Sequence, residues 1–171
     1  MTRFSLKQSE LIDFFRPTWK EIEVIFKEGK ICSERHLQAE FFHILYSNKC
    51  FRKKYQIYVE PNITFCDEIL NMNKQVIIPD ILITEGQNIV AHVELKYVPN
   101  GYIEYLKDLR NFKNLYDYRG KDIKILLKTN YLNGEWDKSS PFGFDSEMLI
   151  IYGVITNYES DFLTRNQTIW D

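Results

Sequence analysis

Asp80, Glu94 and Lys96 are the residues of this chain whose types and spacing could do chemistry. Residues 88–98 alternate as a strand does, so Ala91, Val93, Leu95 and Tyr97 share an apolar face while His92, Glu94 and Lys96 share the other. Asp80 follows Pro79 inside an otherwise apolar stretch, where a charge is costly unless something positive lies beside it. Glu85, Gly86 and Gln87 read as a tight turn, which predicts an antiparallel hairpin. Asp80 and Glu94 lie at nearly equal distances from that turn, so they should stand almost opposite each other, with Lys96 one step further on the same face. Carboxylates held so close repel unless a cation binds between them, and hard ions such as Mg²⁺ select sites of this kind. A lysine alongside can orient or help deprotonate an attacking water. Together these groups are the equipment for phosphodiester hydrolysis.

The elements that must position them follow from periodicity. Residues 5–28 show helical spacing, with Pro17 expected to start a second helix. Ser33 is a natural N-cap for a helix running to about residue 46, whose apolar stripe is Leu37, Phe41, Ile44 and Leu45. Strands are expected at 55–65, with an irregularity at Pro61-Asn62, then at 76–84 and 88–98. A helix over 102–118, a short strand over 123–128, a polar loop and an apolar strand over 147–156 complete the pattern. These elements predict an α/β fold with a mixed sheet flanked by helices, in one domain spanning 1–171, with additions at both ends.

The order of elements and the residues on the hairpin resemble the PD-(D/E)XK nuclease superfamily. The signature reads here as Pro79-Asp80, thirteen intervening residues, then Glu94-Leu95-Lys96. The resemblance covers a restriction-endonuclease-like αβββαβ core at about residues 33–129. It implies that Asp80, Glu94 and the carbonyl of Leu95 ligate Mg²⁺, with Mn²⁺ as a substitute, and that Lys96 positions the water. Many members add an acidic residue from the first core helix. Glu34 fits that role better than Glu40, and Glu60 is an outside candidate. The implied activity is metal-dependent cleavage of nucleic acid, DNA in preference to RNA, by a chain acting alone, as a homodimer or with a partner protein. The triplet also occurs at Glu28-Gly29-Lys30 and Asp122-Ile123-Lys124, but only Glu94 has a strand interior, a hairpin and an upstream Pro-Asp.

Plainer readings stand beside these. Lys96 with Asp80 or Glu94 could be a cross-strand ion pair, and Glu34 could simply complement its helix dipole. His92 is read as structural and left out of the site, while His36 and His43 are read as helix-surface residues. Lys107, Arg110 and Lys113 are candidate phosphate contacts, though such charges also suit a solvated helix face. Trp136 and Phe144, in the polar loop, could contact bases or cap the sheet.

With 171 residues, 44% hydrophobic and 27% charged, the chain can bury a sizeable core. The longest apolar run is too short for a membrane span, and charges within the N-terminal stretch argue against a signal peptide, so a soluble, cytoplasmic protein is expected. Cys32, Cys50 and Cys66 share no CxxC spacing, so neither a disulfide framework nor a zinc site is signalled. The net charge of −2 argues against tight, unspecific DNA binding by the chain alone, because phosphate neutralisation needs a basic surplus. It also leaves open a non-catalytic subunit that keeps the nuclease fold, whose aromatic side chains would suit a protein partner.

Overall fold

Ser5 begins a reciprocal capping box: its hydroxyl accepts from the Gln8 backbone at 3.2 Å and the Gln8 side chain accepts from its backbone at 3.0 Å. The computed structural model describes residues 5–65, 78–98, 117–121, 124–128, 131–132, 135–136, 141–156 and 160–165. From that cap, α1 (Leu6–Lys27) runs without a break, with Pro17 inside it, where a second helix was expected to begin. An interior proline costs about 3 kcal/mol. The stripe Leu11, Ile12, Phe15, Trp19 and Ile22 is buried on both sides of the proline, at about 1.5–3 kcal/mol per large side chain, so burial outweighs the break. Within the same turn the Thr18 hydroxyl donates to the Phe14 carbonyl at 2.9 Å.

Helix α2 (Glu34–Ser47) starts at Ser33, whose hydroxyl accepts from His36 N at 3.2 Å, as its sequence predicts. A short α3 (Lys49–Lys54) follows, which periodicity did not signal. Asn48 makes it possible, its side chain accepting from Cys50 N and Phe51 N at 3.0 and 3.1 Å. The strand expected over 55–65 is two strands, β1 (Gln56–Val59) and β2 (Asn62–Phe65). Glu60 between them takes a left-handed φ of 45°, and Pro61 has no N–H to give a ladder.

The hairpin forms as expected from β3 (Ile81–Glu85) and β4 (Asn88–Val98). Then come β5 (Lys124–Lys128), a separate ribbon of β6 (Tyr131–Leu132) and β7 (Glu135–Trp136), the long β8 (Phe142–Thr156) and β9 (Ser160–Arg165). The large sheet has the order β1-β3-β4-β8-β5-β2, with β9 also on β8. Its sole parallel pair among the described strands is β4 with β8, so the sheet is mixed and the protein is α/β. Here the sequence reading needs correction. The strand expected over 123–128 does not complete the core. Instead β5 pairs antiparallel with β2 and with the start of β8, while the parallel neighbour of β4 lies beyond residue 129. The reason is burial: Met148 to Ile155 is buried on both faces, as a central parallel strand must be.

β1 and β2 are separated by two residues yet lie at opposite ends of the strand order. Three Cα–Cα steps reach only about 11 Å, so the sheet must curl until its margins meet. Tyr58 of β1 and Phe142 of β8, three strands apart in the order, accordingly meet edge to face at 5.8 Å between ring centroids. The curl divides the interior. Outside it, α1 and α2 pack Phe15, Trp19, Leu37 and Phe41 against Val90, Ala91, Val93, Leu95 and Ile151. Inside it, Ile63, Leu82, Ile89, Ile125, Met148, Ile150, Tyr152 and Val154 form a second core. Among the described residues no helix is long and apolar enough to cross a membrane.

Gly153 lies at the join between α1 and the sheet. It is the register partner of Leu95, and a Cβ there would sit 2.7 Å from the Trp19 ring and 2.9 Å from Leu95 Cδ2. Gly153→Ala should therefore destabilise the fold by about 1–3 kcal/mol. A denaturant titration followed by fluorescence should show a lower midpoint with an unchanged slope.

Candidate active site

An extra residue in β4 decides which side chains meet. At the turn the pairing is Glu85 with Asn88 and Thr84 with Ile89; beyond the irregularity it is Ile83 with Ala91, Leu82 with His92 and Ile81 with Val93. Val90 is the inserted residue, and both Val90 and Ala91 face the helix-side core while Ile89 faces the inner one. Extended one residue past Ile81, the shifted register sets Asp80 opposite Glu94. With the register of the turn, Asp80 would oppose Val93.

Asp80 is half-buried and held by its backbone neighbours. Leu95 N donates to Asp80 Oδ2 at 2.6 Å, and Glu60 N donates to the Asp80 carbonyl at 2.8 Å. Glu94 is buried, at 4% exposure, and its Oε1 lies 2.9 Å from His92 Nε2. Lys96 Nζ is 3.4 Å from Glu34 Oε1, which reaches it from the first turn of α2. The structure thus draws Asp80, Glu94, Lys96 and Glu34 to one end of the hairpin. Glu40 instead faces its own helix neighbour, with Oε1 3.4 Å from His36 Nε2. Leu95 has its side chain fully buried against the helices and its N–H on Asp80. Among the described residues no group of three or more His, Cys, Asp or Glu side chains is disposed to hold a metal ion. A cation here would rest on two carboxylates and backbone oxygen.

Lys107, Arg110 and Lys113 lie outside the described residues, as does Cys66. Glu60 contributes its backbone; its side chain is exposed. Glu28 and Lys30, the competing triplet, form an exposed pair at 2.7 Å. Phe144 lies in β8, not in a loop, and is buried in the inner core beside Tyr118. Cys32 and Cys50 are exposed free thiols. His92 was set aside in the sequence and is the residue that the site adds. Its place two residues before Glu94 on the same face was the available signal.

Electrostatics at Asp80 follow from the curled sheet. Burial, then the charge of Glu94, pushes the Asp80 carboxyl from 3.8 up to about 8. The Leu95 N–H and Lys96 pull the other way without prevailing. The donor set suits a divalent ion on that ground: a half-buried and a buried carboxyl group face each other where positive charge is in deficit. Comparison with protein-family models, curated proteins and solved structures finds no match to this chain.

A raised carboxyl pKa stabilises the fold below the unfolded value and withdraws that support as pH rises through the folded one. Metal-free protein should therefore lose stability between pH 3.8 and about 8 on account of Asp80, by on the order of a few kcal/mol. Asp80→Asn should flatten this part of the profile and be the more stable protein at the alkaline end. Urea melts of both proteins across that range check it; parallel profiles would refute it.

Proposed function

We propose that this chain is a divalent-metal-dependent nuclease of the PD-(D/E)XK type, acting in the cytoplasm on DNA in preference to RNA, with Mg²⁺ as cofactor. The observation that carries the reading is Asp80 facing Glu94 across the hairpin, with Lys96 on the same strand and paired to Glu34. The element order supports it as well. A helix (α2) precedes three antiparallel strands (β1, β3, β4), and a further strand (β8) lies parallel to the third. This order supports a restriction-endonuclease-like reading in which the fourth core strand is β8, at 142–156.

In this reading Asp80, Glu94 and the Leu95 carbonyl would hold the ion. Bound Mg²⁺ supplies Lewis-acid stabilisation of the charge that builds on the phosphate. The remaining work belongs to the chain. Lys96, held as a cation by Glu34, would orient the attacking water and stabilise the negative charge on its oxygen as the proton passes to bulk water. Glu34 fixes the ammonium of Lys96 from α2, which keeps the lysine aimed along the strand. Leu95 N–H and the Glu60 backbone hold Asp80 in place, so little ordering is left to the moment of reaction. Lys107, Arg110 and Lys113 are the proposed phosphate contacts.

A non-catalytic binding subunit with the same fold is the second reading, favoured by the net charge of −2. One panel separates the two. Purified protein with Mg²⁺ or Mn²⁺ should cut at least one of single-stranded DNA, duplex DNA, branched DNA or RNA. Asp80→Ala and Lys96→Ala should each lower the rate by at least about 100-fold while leaving the fold intact. No cleavage of any substrate, or equal cleavage by the variants, sinks the enzyme reading. Calorimetric binding of Mg²⁺ that disappears in Asp80→Asn counts against the subunit reading.

A further inference from the structure

The inner face of β4 carries an imidazole that the proposed chemistry leaves unused. His92 is fully buried, at 0% exposure. Its register partners are Leu82 of β3 and Ile150 of β8, both members of the inner apolar core. A leucine would satisfy those neighbours, and a polar ring there costs free energy unless it is engaged. What engages it is the acid two residues along: His92 Nε2 lies 2.9 Å from Glu94 Oε1.

The direction of that bond follows from the chemistry of Glu94. A carboxylate that ligates a metal is ionised and can only accept, so Nε2 carries the hydrogen and donates. A carboxylate held by one oxygen presents its other oxygen in a fixed direction. The strand makes the hold rigid, because His92 and Glu94 alternate on one extended backbone that is paired with β3 and β8 at His92 and with β8 at Glu94. Direct ligation by His92 is the poorer alternative, since Nε2 would first have to give up Glu94.

We propose that His92 is a positioning residue which pins Glu94 Oε1 and so presets Glu94 as a one-oxygen ligand for the divalent cation. This inference rests on the metal-site reading above and deepens it. Partners of this outer kind typically change metal affinity by about 10- to 100-fold when removed.

The test is calorimetric titration of Mg²⁺, and separately Mn²⁺, into the parent protein, His92→Leu, His92→Gln and His92→Asn, each with a thermal melt. His92→Leu suits Leu82 and Ile150 but takes a donor from the buried Glu94 carboxylate, so it should melt somewhat below the parent, and it should bind either ion about 10- to 100-fold more weakly. His92→Gln, whose amide lies near the place of Nε2, should recover most of that loss. His92→Asn has the same polarity but a shorter reach and should not. If His92→Leu does not fold, the Gln and Asn pair decides by the same comparison. Parent-like binding by His92→Leu, or equal binding by Gln and Asn, overturns the positioning role while the metal site stands. A parent protein that binds neither ion overturns the metal site and this inference with it, a result distinct from the other two.

Discussion

Like charges facing each other where water is scarce set the terms for everything at this end of the hairpin. Asp80, just before β3, comes opposite Glu94 of β4 when the register is carried on by one residue, and Glu94 is buried over the inner core. The surrounding contacts read as answers to that repulsion. The Leu95 N–H takes one oxygen of Asp80, the His92 ring takes one of Glu94, and Lys96 adds a positive charge further along the strand. None of these removes the deficit of positive charge, as the high proton affinity of Asp80 records. An acidic pair left in that condition, with Glu94 buried and Asp80 half-buried, is expensive in stability.

The confrontation depends on a single inserted residue. Val90 shifts the β3–β4 register by one, and because side chains alternate, one residue is the difference between the inner face and the helix face. β8 accommodates a larger irregularity at the same level. Its pairing with β4 jumps from Phe144 to Leu149, and the residues thrown out of the ladder are put to structural use. Asp145 receives Lys7 at 2.7 Å, and the Glu147 carbonyl accepts from the Gln8 side chain at 3.0 Å, tying the first turn of α1 to the sheet.

Much of this was legible in the sequence. Strict alternation along β4 placed His92, Glu94 and Lys96 together, Gly86 marked the turn, and Ser33 fixed the start of α2, which in turn set Glu34 within reach of Lys96. Three features escaped for identifiable reasons. Pro17 reads locally as a helix start, but a buried stripe that continues through it is a tertiary effect. The break at Glu60-Pro61 looks like an irregularity within one strand, since nothing nearby says that the two halves belong to opposite margins of a sheet. His92 looks expendable until the curl is known, because only the curl turns its face from a surface into an interior. The place of β8 beside β4 was hidden for a similar reason: periodicity proposes strands but does not choose their neighbours.

The crossing at Glu60-Pro61 also bears on how the molecule assembles. Val59 is tied to Ile81 nearby in the chain, whereas Asn62 must wait for Lys128. β1 can join the hairpin through short-range closure, whereas β2 must find β5, more than sixty residues further along the chain. Such long closures slow folding. They also give the finished sheet a latch: two residues join its first margin to its last, so neither margin can peel away without loosening the other.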